Sequence, residues 1–435
     1  MAPQGLRIRR ATALALALAA TAAVGACGSS SSPKGSSADA KQTIRFVWWG
    51  NQDRATATQQ AVKLFMDKHP NITVQTEFAG YAAYFQKLST QIAGGAAPDL
   101  IQVDRSTYSD YLGRHVLADL TPYVKDKKLD LSQIAQNLLG GVQYNGDQYA
   151  VPAGQTTQMV AYDKTMFDKA GVSVPADGWT WSQFSDAMAK VAAANGTTGT
   201  TDFGWAVDWF EAWLHQHGKQ LYTEDGKLGF TADDLTQFWT MTGTMRAAKG
   251  VSGPQDTTKM DGTTQNSAFV RKTAASEFNY DSNLTSYISS YGSQVAAAPL
   301  PSDDPSKSGM AALPPVYFAV PKTSSHQAAA VELLNFLAND PAAGTTLGAT
   351  RGTPANQQIR TQVCGSATGG NKAVCDYETA VAGRIGTSAG WMWPKGSAAI
   401  KTDFQKVYDD VIFGRSSVSE AAARVISDAK QSLGQ

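Results

Sequence analysis

The chain is short of the residues that build metal centres and nucleophilic triads. It holds three cysteines and five histidines in 435 residues. His215 and His217 form the pair "HQH" with no third ligand nearby in sequence, a pattern that reads as surface. Charge of one sign is also missing. Lys+Arg and Asp+Glu both number 37, so no basic field recruits nucleic acid. Walker-type and dinucleotide glycine motifs are lacking. Beyond the N-terminal region no run approaches the roughly 18 apolar residues that a membrane span requires. "GTSAG", residues 386–390, fits the pattern of a serine nucleophile elbow. That elbow needs a following helix and a later histidine, whereas "WMWPKG" follows and the last histidine, His326, precedes Ser388. What remains is an ordinary globular composition, 43% hydrophobic and 17% charged, with ten tryptophans as its one enrichment. Its length suggests two lobes, at about 150 residues per domain.

The start of the chain reads as processing signal. "MAPQGLRIRR" supplies a positive segment, "ATALALALAATAAV" an apolar one, and "VGAC" a small-residue cleavage site ending at Cys27. Together these resemble a bacterial lipoprotein signal, with Val24 and Gly25 standing where Leu and Ala or Ser are usual. The resemblance implies that residues 1–26 are removed and that Cys27 carries a lipid. An ordinary secretory signal with an incidental cysteine is the alternative. Residues 27–40 are then the lipidated cysteine and a Ser/Gly-rich flexible tether. The expected address is the outer face of the cytoplasmic membrane. An exported chain meets oxidants, so Cys364 and Cys375 in "CGSATGGNKAVC" are expected to form a disulfide.

After the tether, "IRFVWWG", "NITVQTEF" and "DLIQVD" read as strands. The segments between them carry Ala61, Phe65, Leu88 and Ile92 at helical spacing and stop at His69-Pro70 and Gly94-Gly95. Alternating strands and helices predict an α/β fold with parallel sheets covered by helices. The order of "KLSTQIAGGAAPDLIQVD", "YAVPAGQTTQMVAYDKTMFDKAG" and "YFAVPKTSSHQAAAVELLNFLANDPA" with "RGTPAN" resembles the extracellular solute-binding proteins of carbohydrate ABC importers, the family that includes maltose-binding protein. The resemblance runs from residue 41 to 435. It implies a two-lobed hinged trap, each lobe a parallel-type sheet flanked by helices, with the ligand cleft between lobes. Lobe 1 is expected over 41–151 plus about 300–355, and lobe 2 over 152–299 plus about 356–435. The implied protein is a monomer and not an enzyme, needs no cofactor or metal, and hands a mono- or oligosaccharide to permease subunits in the membrane.

Sugars present C–H faces and hydroxyl edges, so their sites combine aromatic platforms with amide, carboxylate or guanidinium groups. Candidates at strand ends are Trp48, Trp49 and Asn51 in "FVWWGN", Tyr81 and Tyr84 in the next helix, and Asp104 with Arg105. Neighbouring strand residues face opposite ways, so one indole closes the sheet and the other, Trp49 by position, meets the cleft. Gln155 lies in the first crossing between lobes, which is placed near Val151–Gln155; the return is placed near Ala298–Pro301. Trp205 and Trp209 start the aromatic helix "FGWAVDWFEAWLHQHG", with Trp213 assigned to packing. Asn279, Tyr280 and Asp281 follow a strand, Arg351 sits in "RGTPAN", and Trp391 and Trp393 in "GWMWPKG". A secreted glycoside hydrolase is a second reading, with Asp104, Asp208, Glu211 and Asp281 as its carboxylates. A third keeps the fold and exchanges sugar for a peptide or polyamine.

Overall fold

The computed structural model describes residues 41–175, 178–260, 264–386 and 392–435. Residues 41–435 form one compact unit. In chain order the principal elements are β1 (Gln42–Trp49), α1 (Gln52–Lys68), β2 (Ile72–Ala79), α2 (Tyr81–Ala93), β3 (Leu100–Val103) and α3 (Arg105–Gly113). Next come β4 (Val151–Pro152), β5 (Gly154–Gln155), β6 (Gln158–Asp163), α4 (Trp181–Asn195), α5 (Val207–Gln216), α6 (Ala232–Ala247), β7 (Ser276–Tyr280), α7 (Leu284–Ser290) and β8 (Val295–Ala298). The chain continues through β9 (Tyr317–Ala319), α8 (Gln327–Asn339), α9 (Pro341–Leu347), β10 (Thr353–Pro354), α10 (Gly369–Val381), α11 (Ser397–Ile412) and α12 (Val418–Leu433).

Two sheets organise the molecule. The first has five strands in the order β2-β1-β3-β9-β4. β1 runs parallel to β2 and β3, while β9 runs antiparallel to β3 and β4. The second has three strands in the order β8-β6-β7. Both of its pairings are antiparallel, with Val295 opposite Asp163 and Gln158 opposite Tyr280. This corrects the expected parallel-type second sheet. β7 and β8, joined through α7, do run parallel to each other, but β6 lies between them in the opposite sense.

Alternation along β1 buries both of its faces. Ile44, Phe46 and Trp48 pack with Val62 and Phe65 of α1 and Leu333 of α8, whereas Val47 joins Tyr84, Leu88, Ile101 and Tyr108. The second sheet shares a core with α4, α5, α6, α11 and α12, including Phe184, Phe210, Phe238, Phe278, Phe404 and Val425. Helix starts follow their caps. Asp104 caps α3 and Thr180 caps α4, each in a reciprocal capping box.

Three chain passages run side by side between the sheets. β5 pairs with β10, Thr353 opposite Gln155, and Thr156 bridges Leu313. Leu300 and Met310 still belong to the second core, so the return passage lies at Leu313 and not near Ala298–Pro301. Glycine is required here. A Cβ on Gly154 would lie 2.2 Å from the Arg351 carbonyl oxygen, and one on Gly352 (φ +78°) 1.9 Å from that of Gln155.

Candidate functional site

The C-terminal end of β1 answers the question of the paired indoles. Trp48 is fully buried, stacked on Phe78 with ring centres 6.2 Å apart and tilted against Phe46. It is a core residue, which corrects its place among the ligand candidates. Trp49 is half-buried on the opposite face, ringed by Tyr81, Tyr84 and Phe85 at 5.3–5.6 Å. Tyr84 is also core: its hydroxyl donates to the Gln102 carbonyl at 2.7 Å. Asn51 accepts from the Arg54 amide at 2.9 Å as the cap of α1, and its side-chain amide donates to Ser286 beside the second sheet.

The adjoining strand end delivers the charged centre. Asp104 accepts from the Thr107 amide at 2.9 Å, from Ser106 Oγ at 2.8 Å and from the Tyr81 hydroxyl. Burial pushes its carboxyl up, but Lys401 and these donors together hold it below the ordinary range. The next residue, Arg105, crosses to the second sheet's helices. One Nη lies 2.9 Å from Glu211 Oε2 and the other donates to Oε1 at 3.5 Å; Asp208 is 3.8 Å away. The Trp393 indole lies under the guanidinium, 4.2 Å from its ring centre. Burial works against the Arg105 charge, but Glu211, Tyr280 and Asp208 outweigh it and raise its pKa.

Asp208 completes the set. It accepts from the Tyr280 hydroxyl at 2.8 Å and pairs with Lys401 at 3.6 Å, and Lys401 sits over Tyr81 at 5.4 Å. Burial alone would raise Asp208; Lys401 and Arg105 hold it below the usual carboxylate range. Cations and carboxylates therefore alternate across the gap, with aromatic faces at its edges. A cavity of about 30 Å³ remains here, bounded by Arg105, Glu211, Tyr222, Leu313, Tyr317 and Trp393. That is room for a water or two, not for a sugar ring, so the cleft is closed in this conformation.

Several candidates fall outside this centre. Trp209 is buried in the second core, its ring 5.3 Å from Tyr280. Trp205 is half-buried, its indole N–H without an acceptor among the described residues. Asn279 serves an internal network, accepting from Asn283 at 2.7 Å and donating to Tyr287. Asp281 is fully buried at the crossing passages and not in the cleft, accepting from Thr156 Oγ1 and from the Thr157 amide at 3.2 Å. Arg351 is buried there too, donating to Gln102 Oε1 at 3.1 Å, and Gln155 accepts from Arg360 at 3.1 Å. Burial at the passages removes Asp281 and Arg351 from direct contact with a cleft ligand, and the half-buried Gln155 is engaged by Arg360. Trp391 and Cys27 lie outside the described residues. Cys364 and Cys375 are joined by a disulfide.

Lys401 was missed by sequence reasoning, and Asp208 and Glu211 entered only as hydrolase carboxylates. Two signals mark them. Lys401 lies near the N-terminal end of α11, where a cation runs against the helix dipole. Glu211 is a buried acid inside an aromatic helical stripe. Among the described residues no group of three or more His, Cys, Asp or Glu could hold a metal, and no helix is long and apolar enough to cross a membrane.

A family model described as "Bacterial extracellular solute-binding protein" matches residues 49–344, more than half of the chain. Among curated relatives, a putative binding protein of Brucella abortus is 23% identical over 206 residues, covering 45% of this chain and 48% of the relative. The erythritol/L-threitol-binding protein of Mycolicibacterium smegmatis is 23% identical over 256 residues, covering 51% and 50%. The chain thus spans about half the length of these relatives. Among solved structures, a periplasmic oligogalacturonide-binding protein of Yersinia enterocolitica matches with a TM-score of 0.78 at 20% identity, over 90% of this chain and 99% of that one. The fold is that of two-domain solute-binding proteins.

Proposed function

The chain belongs to the bacterial extracellular solute-binding protein family, and from that premise we propose that it binds an extracellular carbohydrate, an oligosaccharide, and delivers it to an ABC permease. The carrying observation is the alternating centre of Arg105, Glu211, Asp208 and Lys401, flanked by Trp49, Tyr81 and Trp393. In this reading Arg105 of lobe 1 pairs with Glu211 and Asp208 of lobe 2, so a ligand entering the cleft can exchange those partners for hydroxyls. Arg and Lys donate to hydroxyl oxygens, carboxylates accept hydroxyl protons, and indole faces cover the C–H patches. The likeness to proteins named for erythritol/L-threitol and for oligogalacturonides supports the sugar reading, and the number of cleft aromatics supports more than one ring.

Ligand would stabilise the closed form by touching it better than the open one, a population shift without covalent chemistry. The closed form then docks on the permease. Two of the hydrolase candidates weigh against catalysis: a glycosidase needs a carboxyl with a raised pKa as its acid, whereas Asp104 and Asp208 are both held below the usual carboxylate range. In this reading lobe 1 comprises 41–151 with about 313–355, and lobe 2 the remainder. Removal of residues 1–26 and lipidation of Cys27 would tether the protein at the membrane's outer face, and Cys27→Ala would release it into the medium.

The test is a thermal-shift screen of the purified protein against mono- and oligosaccharides, peptides and polyamines. A ligand at 100 times its Kd adds about 2.7 kcal/mol to the native state, visible as a raised midpoint. A shift confined to sugars, with the sugar recovered unchanged, supports the reading. A response to polyamines or peptides alone refutes the carbohydrate claim, and consumed sugar refutes the non-enzymatic one.

A further inference from the structure

Behind the cleft, where the chain passages cross, the structure holds two buried arginines that no carboxylate pairs with among the described residues. Arg54 is 8% exposed and Arg351 is 4% exposed. Arg54 spends its donors on backbone carbonyls, Nε to Thr350 at 2.9 Å and Nη1 to Trp49 at 3.2 Å. Arg351 donates Nε to Gln102 and lies over the Phe318 ring at 5.5 Å, but its Nη1 and Nη2 have no partner among the described residues. Among the described residues neither guanidinium forms an ion pair with a carboxylate, and the two repel each other. Burial pulls Arg54 down to about 10 and Arg351 well below its ordinary value, yet a guanidinium at neutral pH stays protonated.

Arg351 is also the one charged residue lining a cavity of about 20 Å³, whose other described walls include Ala153, Phe318, Leu337, Leu347 and Ile359. This space lies against α8 and α9, on the far side of the first sheet from Trp393 and Glu211. Gly352, which lines it, and Gly154 pack closely against carbonyl groups across the crossing. Buried donors in native proteins are nearly always satisfied, and charged ones left alone are the most costly. A water could satisfy the two Nη groups but not the two positive charges.

We propose that this pocket binds a monatomic halide, held by the unpartnered Nη groups of Arg351 with Arg54 adding to the field. Its volume suits one such ion and excludes a carboxylate or phosphate group, which would need donors on every oxygen. The apolar walls suit a weakly hydrated anion. The cavity shares no lining residue with the one at the cleft.

The test compares thermal midpoints of the purified protein in sodium chloride, sodium bromide and sodium gluconate at matched ionic strength. Chloride and bromide should each give a saturable rise of about 2 °C or more over gluconate. Arg351→Met should lose that dependence. Crystals of the unaltered protein grown in bromide give a second readout that does not depend on the variant folding: anomalous signal within hydrogen-bond reach of the Arg351 Nη atoms. Equal midpoints in all three salts, a halide response undiminished in Arg351→Met, or only water beside Arg351 in the bromide crystals would each overturn the proposal.

Discussion

In the cleft, Arg105 lies 2.9 Å from Glu211 and 3.8 Å from Asp208, and Lys401 lies 3.6 Å from Asp208, so opposite charges alternate. At the crossing passages like sits beside like. Arg54 neighbours Arg351, and Asp281 neighbours Glu378. The two regions use the same residue types at similar depth, and the difference separates what each can do. An alternating set is neutralised by its own members and can trade a partner for a ligand hydroxyl. A like-charged pair needs relief from beyond itself: a proton for Asp281 beside the Arg360 charge that Glu378 feels, or an anion for the arginines. Asp281 takes the proton in its pair: burial and the Glu378 charge both push its carboxyl well up.

The largest break in this comparison comes from Arg105→Ala. Removing one partner of a buried pair costs about 3–5 kcal/mol, because the other charge is left stranded. Glu211 would be that stranded group, and affinity for the sugar found in the screen should fall on the order of 100-fold or more. Titration calorimetry reads it directly, and Arg105→Glu with Glu211→Arg should recover part of the loss. Binding unchanged in Arg105→Ala would mean that the alternation is structural only.

The second break concerns an acid on β7, the strand that leads into Asp281. Glu277 is buried with Ser267, Asn279 and Tyr287 around it, and burial pushes its carboxyl up to about 7 against an unfolded value near 4.5. The folded state therefore holds the proton more tightly. The stability this contributes is fully present below the unfolded value and lost as pH rises through about 7. The difference is about 3 kcal/mol. Glu277→Gln keeps the acceptor for Ser267 and removes the charge, so its advantage over the parent should grow by about that amount between pH 4 and 8, within the range the shift defines. Denaturant curves at the two ends would show it, and parallel curves would refute it. A gentler change, Trp393→Leu, removes the ring beneath Arg105 and should cost about 1–2 kcal/mol of affinity, about tenfold.

Much of this was legible in the sequence. Strand alternation separated Trp48 from Trp49, and the strand end at Val103 pointed to Arg105, because period and position are local properties. Burial depth is not local. Asp281 and Arg351 each follow a strand or a turn, as Asp104 does, yet the crossing passages cover them while the cleft leaves Arg105 within reach of the other lobe. Strand direction failed for a related reason. β7-α7-β8 is a parallel unit, and only the insertion of β6 between its strands makes both pairings of the second sheet antiparallel. Lys401 required knowing that α11 packs beside α3, a contact nearly three hundred positions apart in sequence that no motif announces.

The smallest predicted effect sharpens the comparison by removing burial from it. Lys372 and Asp376 on α10 form an ion pair at 2.6 Å, shorter than the Arg105–Glu211 contact, and sit at the favourable four-residue spacing. Their side chains are 59% and 62% exposed, against 17% and 8% for Arg105 and Glu211. If distance alone set the worth of a pair, Asp376→Asn would be the more damaging change. Water screens both charges, however, and ordering two long side chains offsets most of what remains. Asp376→Asn should therefore shift stability by less than about 0.5 kcal/mol and leave ligand affinity unchanged. A loss approaching that of Arg105→Ala, measured by the same denaturant and calorimetric methods, would mean that something other than desolvation makes the cleft charges count.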